Sequence, residues 1–339
     1  MDFILEYAGF LLRALTVLIV VVVILLTVAG LKGRQRSKEG ELEVRSMNEQ
    51  LDDIRDAMQA AVLDKAALKK LKKDRKRKDK QDRKSAETRP RVFVLEFDGD
   101  IRASATDSLR REVTAVLSLA TAQDEVVLRL ESGGGMVHGY GLAASQLVRI
   151  RDAGIPLTVC VDKIAASGGY MMACLGNRIL SAPFAILGSI GVVAQMPNIH
   201  RLLKKHEIDV EVLTAGEYKR TLTVLGENTE EGRAKFLEDL QTTHELFKNF
   251  VSQYRPQLDM GRVATGEIWL GSDAFEQQLV DEISTSDQYL VEKAKTAKVY
   301  RVSYVFKKNL QERIGMAAAH TADNVAERLW KRLQQGFWQ

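Results

Sequence analysis

Metal and disulfide chemistry have little to work with in this chain. Its 339 residues hold two cysteines, Cys160 and Cys174, and five histidines scattered without a ligand spacing. Both cysteines sit inside apolar runs, as lone buried thiols do, and no C-x-x-C marks a zinc site. Nucleotide signatures are missing too: there is no G-x-x-x-x-G-K-[ST] phosphate loop and no G-x-G-x-x-G fingerprint. No G-x-S-x-G elbow occurs, and none of His138, His200, His206, His244 or His320 stands in a setting that marks a general base. Aromatics make up 6% of the chain. None interleaves the densest basic run, so nucleic-acid bases would find no stacking platform there. The expectation is no metal, no cofactor and no nucleic-acid partner.

Charge is absent from Ala14 to Leu31, ALTVLIVVVVILLTVAGL. Extended back over Gly9–Leu12, the run reaches the length that crosses a bilayer. A cleaved signal peptide would begin basic and end in small residues, whereas this segment begins with Asp2 and Glu6 and is followed by Lys32, Arg34, Arg36 and Lys38. Residues 1–31 therefore read as an uncleaved anchor in a lipid bilayer. A second uncharged stretch, Ile179 to Ile199, contains Pro183, Gly188, Gly191 and Pro197, and breakers of that density predict strands and turns.

Residues 32–90 form a juxtamembrane region of their own. Val44, Met47, Leu51, Ile54, Met58, Ala61 and Leu68 recur on three- and four-residue steps, with Lys65 filling one slot. The spacing predicts a helix, either self-associating through an a/d seam or singly amphipathic. From Lys65 to Arg91 the local charge balance is +10, against +4 for the whole chain, so the remainder is acidic. This basic linker reads as a solvated segment or a membrane-surface contact.

From Arg91 the pattern alternates. Strands are expected at 91–97, 125–131 and 156–162, with helical spacing at 106–120, at 139–151 and after Ser167. Such alternation predicts an α/β fold with parallel strands and right-handed crossovers. Two strand-to-helix loops stand out. ESGGGMVHG (131–139) brings backbone N–H groups close to a ligand or simply turns the chain. DKIAASGGY (162–170) puts Ser167 at the start of a helix, as a cap or as a nucleophile still needing a base. Beyond the domain, residues 301–339 carry an amphipathic pattern, with Val325, Leu329, Leu333 and Phe337 on one face beside Trp330, suited to core docking or a membrane surface.

In order along the chain, LRLESGGGMVHGYGLAASQL, DKIAASGGYMMAC, LGSIGVV and AGEYKRTLT resemble peptidase family S49, the signal peptide peptidase A proteins, and especially its single-repeat, membrane-anchored members. The resemblance runs from Met1 to Tyr300. It implies the Clp protease and crotonase-like fold of repeated ββα units over residues 91–300, preceded by the transmembrane helix and basic helical linker. It implies a serine endopeptidase with Ser167 as nucleophile, Lys219 as general base, Ser189 supporting the lysine, and an oxyanion hole from the N–H groups of Gly168 and of Gly134 or Gly135. The family commonly has S-P-G-G where this chain has Ser132-Gly133-Gly134-Gly135, and losing the proline loosens that loop. A neutral Lys219 requires burial, because a solvated lysine is protonated near neutral pH.

The implied substrates are apolar, extended peptides such as signal-peptide remnants or membrane and envelope proteins. The implied assembly is a homo-oligomer whose sites are completed between protomers, in the bacterial inner membrane. Two other functions share parts of the pattern: a crotonase-type acyl-CoA enzyme, which does not need a serine–lysine pair, and a non-proteolytic membrane scaffold. Two lines of reasoning disagree on which side of the membrane the domain faces. The resemblance implies the outer side, while the Lys/Arg excess after the span leans toward the cytoplasm.

Overall fold

A computed structural model describes residues 40–71, 73 and 89–306. The expected anchor at 1–31, most of the basic linker and the amphipathic pattern at 325–337 lie outside the described residues. Among those described, no helix is long and apolar enough to cross a membrane.

The chain opens with strand β1 (Gly40–Ser46) and helix α1 (Met47–Val62). The expectation of one helix through Val44 and Leu68 does not hold. Val44 lies in β1, and the Ser46 side chain caps α1 by accepting from the N–H of Glu49 at 3.3 Å. Leu63 is extended at ψ 150°, and Asp64 then accepts from the N–H of Ala67 at 2.7 Å to start a fresh helical turn. Local caps have outcompeted the heptad register.

The domain proper alternates as its pattern predicts. β2 (Arg91–Gly99), α2 (Thr106–Leu117), β3 (Glu125–Ser132), α3 (Val137–Asp152) and β4 (Leu157–Val161) come first. A short strand β5 (Ile164–Ala166) then leads into α4 (Gly168–Ala173), followed by β6 (Arg178–Ser181) and β7 (Ile186–Gly188). The stretch from Ile179 to Ile199 is thus strand and turn, as its breakers predict. After α5 (His200–Lys205) the long α6 (Glu230–Tyr254) returns. The remainder is α7 (Met260–Val263), β8 (Ile268–Leu270), α8 (Gly271–Glu276), β9 (Glu282–Ile283), α9 (Ser286–Thr296) and β10 (Lys298–Phe306).

The sheet runs β1-β10-β2-β3-β4-β6-β9, and β10 through β9 pair in parallel. Parallel strands are buried on both faces, which explains runs such as Val92–Leu95. On one face Phe93, Leu95, Val126, Leu128 and Val159 pack with Leu109 and Val113 of α2 and Leu147 of α3. On the other, Val92, Val94, Val127 and Cys160 meet Tyr289 and Leu290 of α9. Glu125 pins that helix, accepting from Tyr289 Oη at 2.5 Å and Lys293 Nζ at 2.5 Å. At the far edge Arg255, buried at the end of α6, makes a bidentate pair with Asp281 at 2.8 Å for both contacts. Asp281 also accepts from the N–H of Ile179 at 2.7 Å.

A branch in the sheet lies next to the serine loop. β3 pairs with β4 along most of its length, but its last residue, Ser132, is in register with Ala165 of β5. β5 pairs in parallel with β7, and β7 pairs antiparallel with β8. The chain therefore forks off the main sheet just before Ser167.

Candidate active site

Three strand ends converge on the candidate residues. Registers of Ser132 with Ala165 and of Ala166 with Gly188 set the ends of β3, β5 and β7 side by side. β3 leaves through Gly133-Gly134-Gly135 into α3, and β5 leaves through Ser167 into α4. Carboxyl ends of parallel strands feeding helix N-termini are where α/β sheets collect ligands.

Ser167 adopts φ 52°, ψ −119°, a conformation that costs a non-glycine residue about 1–3 kcal/mol. The fold imposes it from both sides. The N–H of Ser167 donates to the Gly188 carbonyl at 2.8 Å, and its carbonyl accepts from the N–H of Met171 at 2.9 Å. Ser167 occupies the cap position of α4, yet its side chain makes no capping bond. A simple helix cap does not describe it. A strained strand-to-helix turn is one way to leave a hydroxyl exposed for attack.

Gly168 opens α4, and first-turn N–H groups have no acceptor within a helix. Gly134, at φ 87°, lies against this turn: a Cβ added there would sit 2.7 Å from both Gly168 N and Ser167 Cβ. Only glycine fits that approach and that backbone angle. The N–H of Gly134 itself donates to Ser132 Oγ at 3.1 Å. Gly135 lines a cavity together with Ser167 and Gly168. Ser189 directly follows Gly188, also at positive φ (50°), and its N–H donates to the Glu267 carbonyl at 2.6 Å.

The cavity measures about 250 Å³ and is largely apolar, walled by Val137, Met171, Val192, Leu246, Phe247 and Phe250 among others. His244 of α6 ties that helix to the opposite wall, its Nε2 lying 3.1 Å from the Ile190 carbonyl oxygen. A carbonyl only accepts, so Nε2 carries the proton in this bond.

Lys219 stands apart. It is exposed, on an irregular segment exposed from Glu211 to Arg220. Its N–H donates to the Gly216 carbonyl at 3.2 Å. Among the described residues no hydrogen bond or ion pair from its amine is seen, and it does not line the cavity. One chain thus gathers Ser167, Gly168, Gly134, Gly135 and Ser189, and does not bring Lys219 into contact with them.

The sequence assigns no role to Ser132, Tyr140 or His244. Tyr140 is fully buried. It lies under both loops, and its place inside an ordinary helical pattern gives no signal of that. Cys160 and Cys174 are free and buried, with thiols pushed up to about 12 by burial. Among the described residues no group of three or more His, Cys, Asp or Glu is placed to hold a metal.

Comparison with known proteins adds a family context. The pattern of the peptidase family S49 N-terminal region matches residues 2–147, and that of peptidase family S49 matches residues 149–300. A probable protease SohB of Haemophilus influenzae is 49% identical over 99% of this chain and 99% of its own. A probable protease SohB of Buchnera aphidicola subsp. Schlechtendalia chinensis is 46% identical, covering 86% of this chain and 99% of its own. More distantly, a protease 4 of Haemophilus influenzae is 29% identical over 48% of this chain and 27% of its own length.

Proposed function

The chain belongs to peptidase family S49, and from that premise we propose that it is a membrane-anchored serine endopeptidase of Clp protease and crotonase-like fold, working through Ser167 and Lys219. The observation that carries this reading is Ser167 itself. It has a strained backbone and no capping bond, and it lies at the wall of an apolar cavity beside Gly168 and Gly134.

The chemistry follows from those roles. A neutral Lys219 amine takes the proton from Ser167 Oγ as that oxygen attacks the scissile carbonyl carbon. The N–H of Gly168, with that of Gly135, stabilises the oxyanion, the Gly134 N–H being held by Ser132 Oγ. Collapse breaks the C–N bond, and the Lys219 ammonium returns its proton to the leaving amine. Water, activated by the same amine, then hydrolyses the acyl-enzyme. Ser189, one residue beyond the carbonyl that holds the Ser167 N–H, would orient the lysine. The apolar cavity suits extended, apolar peptides, which include signal-peptide remnants and membrane or envelope proteins.

Assembly supplies what one chain lacks. Lys219 is exposed and does not line the cavity that Ser167 lines. Its segment also presents Leu213, 89% exposed, with Tyr218 and Leu225 uncovered nearby. A homo-oligomer in which this segment packs over a neighbour's cavity would bury the amine and complete each site between protomers. Residues 1–31 would anchor that assembly in the bacterial inner membrane.

Ser167→Ala and Lys219→Ala should each abolish turnover of an unstructured apolar peptide while the protein stays folded. Full activity in either variant would sink the dyad. A scaffold or an acyl-CoA enzyme predicts no peptide cleavage at all.

A further inference from the structure

We propose that Tyr140 and Ser132 are positioning residues that set the oxyanion donors beside Ser167, a role that rests on reading Ser167 as the nucleophile. Proton counting fixes the direction of their hydrogen bonds. Tyr140 Oη donates to the Asp100 carbonyl at 2.8 Å. A phenol has one proton, so across the 2.5 Å contact with Ser132 Oγ it accepts. Ser132 has then spent its own proton, and its oxygen is left to accept the Gly134 N–H at 3.1 Å. The result is a one-way relay, Gly134 N–H to Ser132 hydroxyl, to Tyr140 hydroxyl, to the Asp100 carbonyl; it spends the Gly134 N–H on holding the loop and leaves Gly135, which lines the cavity with Ser167, as the loop's oxyanion donor. Bonds aligned in this way polarise and strengthen one another. The competing acceptor for the Ser132 proton, the Gly99 carbonyl, is further off at 3.3 Å.

The ring of Tyr140 does a second job. A Cβ on Gly168 would overlap that ring, so the peptide next to Ser167 rests directly on it. Tyr140 is fully buried and Ser132 is 2% exposed, so neither side chain has room to wander. One tyrosine therefore locates both loops: the glycine loop through its hydroxyl, and the Gly168 turn through its ring. This relay also offers a substitute for the constraint that a proline at position 133 would impose on the loop.

Tyr140→Phe removes the relay and keeps the ring. The expected result is a kcat lower by on the order of tenfold with KM little changed, less than the loss from deleting an oxyanion donor outright. Affinity for a peptide aldehyde, whose serine adduct puts an oxygen in the hole, should fall in the same proportion. A purely structural role would lower stability without moving that ratio. If Tyr140→Phe does not fold, Ser132→Ala breaks the relay at its middle, leaves the ring in place, and is read in the same two assays. Unchanged kcat and aldehyde affinity, or a change in KM alone, overturns the proposal. Ser167→Ala separates the two levels of failure. Full turnover in that variant removes the nucleophile itself, whereas a dead Ser167→Ala beside an unaltered Tyr140→Phe removes only the positioning role.

Discussion

At the scale of single residues, two buried or strained groups carry consequences. Ser167 holds a left-handed backbone angle because Gly188 and Met171 grip its peptide groups. Nothing in DKIAASGGY announces that angle. The glycines beside the serine are legible in the sequence, but the conformation comes from β7, more than twenty residues on. Glu112 is the second case. It lies in α2 at 4% exposure, accepts from the N–H of Tyr304 at 2.7 Å, and leaves Oε2 without a partner among the described residues. Burial pushes its carboxyl up to about 7. A folded-state value above the unfolded one means that stability is greatest while the group is neutral and is lost as pH rises through about 7. Glu112→Gln removes that titration. Thermal melts should show the variant near wild type at pH 5 and more stable at pH 8, by an amount on the order of 1–3 kcal/mol, or several degrees. Parallel melting curves across that range would show that Glu112 does not titrate there.

At the scale of elements, α6 does the most with the least sequence signal. Only Phe247 and Val251 of its 25 residues are buried. It is fixed at one end by Arg255 on Asp281 and midway by His244 on the Ile190 carbonyl. Asp281→Ala would strand the buried Arg255 guanidinium, and loss of one partner of a buried pair costs about 3–5 kcal/mol. Chemical denaturation should report a drop of that size, and a change below about 1 kcal/mol would mark the pair as solvent-screened. His244→Ala should leave stability nearer wild type and raise KM for apolar peptides, because the bond it removes braces the cavity wall after Ser189. An unchanged KM would assign His244 to packing alone. The strands at 91–97, 125–131 and 156–162 are legible because each holds consecutive apolar residues buried on both faces, such as Val92–Leu95 and Val126–Leu128. The unbroken helix expected from Val44 to Leu68 is interrupted for a different reason: Val44 lies in β1, and the caps at Ser46 and Asp64 decide where helix begins.

At the scale of the whole molecule, Lys219 is exposed and is not among the residues that line the cavity beside Ser167. The ordered motifs group Ser167, Ser189 and the glycine loop in the sequence, and the strand registers set them side by side in space. The same motifs assign Lys219, but spacing along a chain says nothing about which copy of the chain delivers a side chain. If neighbouring protomers complete each other's sites, mixing Ser167→Ala with Lys219→Ala subunits should restore activity, to roughly a quarter of wild type for random mixing in a closed ring. No recovery in confirmed mixed oligomers would place both groups within one protomer.

Serine–lysine chemistry is tested most directly by labelling the full-length protein with a fluorophosphonate, followed by peptide mapping. The predicted result is a single adduct on Ser167, abolished in Ser167→Ala and reduced to background in Lys219→Ala, because the hydroxyl reacts only when the amine takes its proton. An adduct at another residue, or undiminished labelling of Ser167 without Lys219, would contradict that chemistry.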